Sequence, residues 1–132
     1  ADRETVLAQL GDRVHLVGPV GETDKQAWYA AADVFCYPSL LEGFGLPVAE
    51  AMARGTPVVT AAGTATEEVA AGAALVVDPT DPVALADAIA SVLADQGLSA
   101  RLAEAGRRRA AELTWSNAAR AMAEVYLEAL GR

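Results

Sequence analysis

The chain has 132 residues, room for one domain with one buried core but not for two. Hydrophobic residues make up 53% and charged residues 21%, which excludes a disordered chain, and the single cysteine, Cys36, excludes a disulfide scaffold. Ten basic against 18 acidic residues give a net charge of −8, the wrong sign for nonspecific nucleic-acid binding.

Short apolar runs alternate with helical patterns along the first part of the chain. Arg13-Val14-His15-Leu16-Val17-Gly18 is predicted to be a strand ending at a Gly-Pro turn. Thr23 or Asp24 caps a helix through about Ala32, with Trp28 and Ala31 or Ala32 facing inward. Val34 to Tyr37 is a second strand, stopped by Pro38. Leu46 to Arg54 is a helix with Pro47 in its first turn, where a missing N–H is harmless, and Gly55 and Pro57 end it. Pro57 to Thr60 is a third strand, Glu67 to Ala71 a short helix, and Ala74 to Val77 a fourth strand.

Beyond Asp78-Pro79 only helices are predicted. Asp81 caps one that opens at Pro82, carries Leu85, Ile89, Val92 and Leu93, and stops at Gly97. Ser99 caps the next, to about Leu113. Thr114 caps the last, with Trp115, Ala119, Met122, Tyr126 and Leu130 on one stripe. The fold class is α/β: a partial doubly wound, Rossmann-like parallel sheet of about four strands, followed by C-terminal helices. Residues 1–132 form one partial domain. Such sheets bind ligands outside the carboxyl ends of their strands.

No apolar run approaches the roughly 18 residues of a membrane span, so no transmembrane segment is expected. The charged start Ala1-Asp2-Arg3-Glu4 lacks the apolar stretch of a signal peptide, which makes the reducing cytoplasm the expected location.

The loop after the second strand carries the chemistry. Gly43 and Gly45 flank Phe44 just before a helix, so the backbone can approach a ligand closely. The helix start offers N–H groups to an anion or a hydroxyl-rich group. Glu42 precedes the loop and Glu50 lies a little over one turn inside the helix; carboxylates suit the vicinal hydroxyls of a sugar or ribose. Singly, each piece has an ordinary reading. Gly-x-Gly is a common turn, Phe44 suits a core, and Glu50 pairs with Arg54 four residues on, worth roughly 0.3 kcal/mol.

Together, Pro38-Ser39, Glu42-Gly43-Phe44-Gly45-Leu46-Pro47, Glu50-Ala51-Met52-Ala53 and Gly55-Thr56-Pro57-Val58-Val59 resemble the signature of the retaining family-4 (group 1) glycosyltransferases. Seven residues separate Glu42 from Glu50, which matches that family's Glu-x7-Glu motif. The likeness runs from about Gly11 to the C-terminus and includes Glu68-Val69, Leu75 to Pro79 and Leu113-Thr114-Trp115. It implies a two-domain GT-B enzyme that moves a sugar from a nucleotide diphosphate sugar to an acceptor with retention. Glu50 would bind the ribose hydroxyls, Glu42 and the Gly43-Phe44-Gly45-Leu46 backbone the sugar and the nearby phosphate. Gly18-Pro19-Val20 would lie near the base. Electrostatic stabilisation of the leaving diphosphate, without metal or cofactor, is expected.

The resemblance also implies parts that this chain lacks: an acceptor-binding domain and two strand–helix units bearing the Arg and Lys that hold the diphosphate. The chain is therefore expected to be N-terminally truncated, to bind donor weakly or not at all, and to transfer nothing. Its one lysine, Lys25, falls in a polar stretch before a helix. The missing strands would belong between those at Val14–Val17 and Val34–Tyr37 in a 3-2-1-4-5-6 sheet. Unpaired edges are expected there, met by direct pairing or by homo-oligomerisation. An alternative is a noncatalytic, self-associating fragment that binds no nucleotide. Among other residues, His15 reads as a packed or surface histidine, Cys36 as a small core residue, and Arg107 to Arg109 as a solvated face. Trp115 and Tyr126 read as core rather than ligand platform, but the resemblance implies a last helix that reaches toward the absent domain, which would leave its stripe exposed or repacked. Glu68 reads equally as a pocket residue or as a helix-start carboxylate.

Overall fold

β-Branched and apolar runs form a three-stranded parallel sheet: β1 (Phe35–Tyr37), β2 (Val58–Ala61) and β3 (Leu75–Val77). The structure, a computed structural model, describes residues 3–131. β2 is central, with Cys36 opposite Val59 and Thr60 opposite Val76. Seven α-helices accompany the sheet among the described residues: α1 (Arg3–Leu10), α2 (Glu22–Ala31), α3 (Leu46–Ala53), α4 (Ala65–Ala70), α5 (Pro82–Ala94), α6 (Gln96–Glu112) and α7 (Trp115–Ala129). The expected α/β class, a partial Rossmann-like sheet followed by helices, is what the structure shows.

Alternation along β1 divides the core. Phe35 and Tyr37 face Tyr29 of α2 and Val48 and Met52 of α3. Cys36 and Val34 face the other way, against Val59, Val92 of α5 and Leu102 of α6. All four β2 residues are buried, as a central parallel strand requires. α6 backs onto α3 through Gly106, where an added Cβ would come within 3.2 Å of the Met52 side chain. Arg109 ties α6 to α4, donating to the carbonyls of Val69 at 2.8 Å and Glu68 at 3.3 Å.

Several expectations need correction. Residues 14–17, read as a strand, join no ladder among the described residues. A strand exists through its partners, and the segment lies exposed with no regular structure: Leu16 is 59% and Val17 52% accessible. The sheet accordingly has three strands rather than about four, and His15 sits in this exposed segment. α1 lies in a stretch to which the sequence reading assigned no element, and the 3₁₀ turn at Gly11–Arg13 takes in Arg13, read as the start of that strand. In α2 the inward residue is Tyr29, while Trp28 is 57% exposed. Gly97 does not stop α5. Asp95 intervenes, its carboxylate accepting from Leu98 N at 2.9 Å, so α6 starts before Ser99 and takes Gly97 into its first turn. The α5 start is as expected, with Asp81 accepting from Val83 N and Ala84 N. Thr114 caps α7, but no α7 residue is buried, and Trp115 is 93% exposed. The stripe of Trp115, Met122 and Tyr126 is solvent-facing rather than core.

Candidate functional site at the carboxyl end of the sheet

The loop between β1 and α3 leaves the carboxyl end of β1 and returns over β2. Gly45 is its pivot. Its φ of +95° lies in the left-handed region, and an added Cβ would sit 2.7 Å from Thr66 Cγ2. The Gly45 carbonyl accepts from Val48 N at 3.0 Å, and no side chain caps the α3 start. That leaves the positive end of the helix to solvent or ligand. Gly43 differs: a Cβ there would meet nothing within 4 Å. Of these two loop glycines, only Gly45 is demanded by the fold. Phe44 is 47% and Leu46 62% exposed, so neither belongs to the core.

A buried hydroxyl cluster supports the loop from below. Thr60 donates to the Tyr37 carbonyl at 3.0 Å and lies 2.8 Å from the Thr66 hydroxyl, itself 2.7 Å from that of Thr64. Thr60 and Thr66 are fully buried. The sequence reading missed this cluster; threonines at a strand end and at a helix cap were its signal.

The two glutamates are held by different partners. Glu42 accepts from the Tyr37 hydroxyl and from Ser39 Oγ at 3.0 Å. Glu50 accepts from Lys25 Nζ at 3.0 Å on one oxygen and from the Tyr29 hydroxyl at 3.2 Å on the other. The two tyrosines share a neighbour, Phe35, whose ring meets Tyr29 edge-on at 5.1 Å and stacks on Tyr37 at 5.8 Å. A carboxylate has about four acceptor positions, so each retains capacity for a ligand hydroxyl. The hydrogen bond to Glu42, then burial, raises the Tyr37 phenol above its ordinary range. Burial, then the Glu50 charge, does the same to Tyr29.

Lys25 corrects one expectation: it lies inside α2 rather than in a polar stretch before a helix, and from there it supplies a cation to a motif carboxylate. It also pairs with Glu22 at 2.9 Å; these hydrogen bonds, Glu22 first and Glu50 second, raise its pKa. Glu50 therefore does not pair with Arg54, which donates to Gln26 at 2.7 Å instead. Glu68 is exposed in the first turn of α4. Cys36 is half-buried, and burial pushes its thiol up, away from reactivity. Arg107 and Arg108 pair with Glu104 on an exposed face, as expected, whereas Arg109 is a structural tie. A cleft of about 530 Å³, lined by Asp33, Pro57, Val92 and Ser99 among others, lies at the opposite, amino end of the strands.

A family model described as glycosyl transferases group 1 matches residues 3–109. The chain belongs to this family. Among curated relatives, it is 45% identical over 133 positions to a D-inositol 3-phosphate glycosyltransferase of Xylanimonas cellulosilytica, covering 98% of this chain and 32% of that one. It is 38% identical over 135 positions to an MMP alpha-(1->4)-mannosyltransferase of Mycolicibacterium hassiacum, covering 98% and 33%. Among solved structures, sucrose-phosphate synthase from Thermosynechococcus elongatus superposes with a TM-score of 0.81 at 36% identity, covering 97% of this chain and 33% of that one. The C-terminal domain of a glycosyl transferase group 1 family protein from Francisella tularensis gives 0.68 at 26% identity, covering 83% and 59%. The chain spans about a third of the length of the curated relatives it matches. Among the described residues no single helix is long and apolar enough to cross a membrane.

Proposed function

We propose that this group 1 chain forms the donor side of a cytoplasmic, retaining glycosyltransferase, binding a nucleotide diphosphate sugar at the β1–α3 loop. Glu50 accepts the ribose hydroxyls with its remaining lone pairs, and Glu42 accepts hydroxyls of the transferred sugar. The accessible backbone from Gly43 to Leu46 and the uncapped α3 start face the diphosphate, which leaves without help from a metal or cofactor. The supporting observation is the pair of carboxylates, each fixed by a tyrosine hydroxyl and flanking that helix start at the carboxyl end of the strands. Transfer itself requires an acceptor-binding partner domain.

Ligand-observed NMR with uridine and guanosine diphosphates tests this. Weak saturable binding that Glu50→Ala abolishes and Glu42→Ala leaves largely intact is expected, because these probes carry the ribose but no transferred sugar. Absence of binding, or binding indifferent to Glu50→Ala, overturns it. The exposed, unladdered apolar segment at residues 14–17 favours a second reading, a noncatalytic fragment that pairs with another copy of itself. A sedimentation profile showing a dimer, with no nucleotide signal by NMR, selects that reading.

A further inference from the structure

We infer that Lys25 is the charge-compensating residue of the donor site, offsetting part of the negative charge around Glu50 so that a polyanionic ligand can settle beside it. The inference rests on the nucleotide-binding reading above and adds a residue from outside the loop. The electrostatic problem is plain from the composition. The chain carries −8, and its motif places two glutamates where a diphosphate is to bind. An unpaired Glu50 would repel the phosphates of the very ligand whose ribose it recognises.

Lys25 reduces that conflict. Its Nζ lies 3.0 Å from Glu50 Oε1 and 2.9 Å from Glu22 Oε2, so one ammonium is forked between two carboxylates. The Lys25 and Glu50 side chains are 32% and 29% exposed, half-shielded from water and salt. Tyr29 fixes the other Glu50 oxygen without altering its charge. The ammonium therefore leaves Glu50 as an oriented acceptor for hydroxyls and lowers the negative potential around it. Glu22 is the reserve partner: when a diol takes lone pairs of Glu50, Lys25 retains an anion to hold it in place.

Lys25 acts through Glu50 and is a positioning residue. Its role predicts a split between charged and uncharged ligands that mere packing would not produce. Binding of uridine, uridine diphosphate, guanosine and guanosine diphosphate to the chain and to Lys25→Met is to be measured by NMR titration at low and high salt. The Lys25→Met chain is expected to bind the diphosphates about tenfold more weakly at low salt, with the deficit shrinking as salt rises. Nucleoside affinity should stay within about twofold, because a neutral ligand feels little of the uncompensated charge. Lys25→Arg restores diphosphate binding. Equal losses for nucleoside and diphosphate, or no loss for either, overturn the role of Lys25 while leaving the nucleotide-binding reading intact. Failure of the unsubstituted chain to bind any of the four overturns both. Thermal melts of each variant show whether the fold is kept.

Discussion

Tyr29 and Tyr37 pack on the same ring, Phe35, and each donates its hydroxyl to a different glutamate of the Glu-x7-Glu motif. Each carboxylate is thereby anchored to an aromatic ladder as well as to its own backbone. Both phenols are held neutral by this arrangement, since an ionised phenol would face a carboxylate. A raised folded-state pKa gives stability that is complete below the unfolded tyrosine value, about 10, and is lost as pH rises through the folded value. Unfolding free energy should therefore fall on the alkaline side of about pH 10. The Tyr37→Phe chain should show a shallower fall, and cost about 1 kcal/mol at neutral pH for the lost hydrogen bond. Denaturant melts across pH, with tyrosinate absorbance followed in parallel, measure both. An alkaline limb identical in the Tyr37→Phe chain would contradict the coupling to Glu42.

The two glycines of the loop should respond oppositely to alanine. At Gly45 a methyl group meets Thr66 Cγ2 at 2.7 Å and the backbone has φ +95°. The left-handed conformation costs about 1–2 kcal/mol and the overlap about 1–3 more. Gly45→Ala should lower stability by several kcal/mol and weaken ligand binding through the displaced α3 start. Adding Thr66→Ser removes the clashing methyl, keeps the hydroxyl cluster, and should recover the overlap part alone. Gly43→Ala meets open space and should stay within about 0.5 kcal/mol of the parent. Urea melts of the four chains settle the ranking.

How far the molecule was legible depends on the range of the interaction. The β1–loop–α3 unit is contiguous, so its strand, its Gly45 pivot and its helix start are written locally. The Asp81-Pro82 helix start is local too. Trp28 and Tyr29 are adjacent on a helix where a one-residue error turns the face by about 100°, and only the position of Phe35 decides between them. Residues 14–17 have a strand's composition, but a strand is completed by a neighbour, which a local pattern does not contain. The contact between Lys25 and Glu50 joins residues 25 positions apart and was invisible for the same reason. Gly97 was read as a stop because glycine ends many helices, yet the Asp95 cap made it an ordinary first-turn residue.

Two of the three adjacent arginines, Arg108 and Arg109, should separate on substitution. Arg109 Nε and Nη2 reach the carbonyls of Val69 and Glu68, closing α4 against α6, and Nη1 pairs with Glu112 at 3.0 Å. Arg109→Ala should cost about 1–3 kcal/mol, typical of lost hydrogen bonds to a charged group. Arg109→Lys should restore little, because a single ammonium lacks the planar fork. Arg108 is 68% exposed and pairs only with Glu104 in the contacts described, so Arg108→Ala should change stability by less than about 1 kcal/mol. Differential scanning calorimetry of the three variants is the direct comparison.

The last helix should be thermodynamically separable. None of the α7 residues is buried, and the residues of its apolar stripe face water: Trp115 at 93%, Met122 at 54%, Tyr126 at 63%. Among the described residues, the side-chain hydrogen bonds at its start are the Thr114 cap and one from Asn117 Nδ2 to the Glu112 carbonyl at 2.7 Å. A 15-residue helix with no buried residue is marginal in water, so α7 should open without disturbing the sheet. Its amides should exchange with solvent much faster than those of α6, whose Leu102 and Gly106 are buried. Trp115 emission should be quenched readily by a soluble quencher. Removing residues 114–132 should change the unfolding free energy by less than about 0.5 kcal/mol. Protection of α7 amides equal to that of α6 would instead mean that the helix packs on another molecule in solution, and exchange measured over a range of protein concentrations distinguishes the two cases.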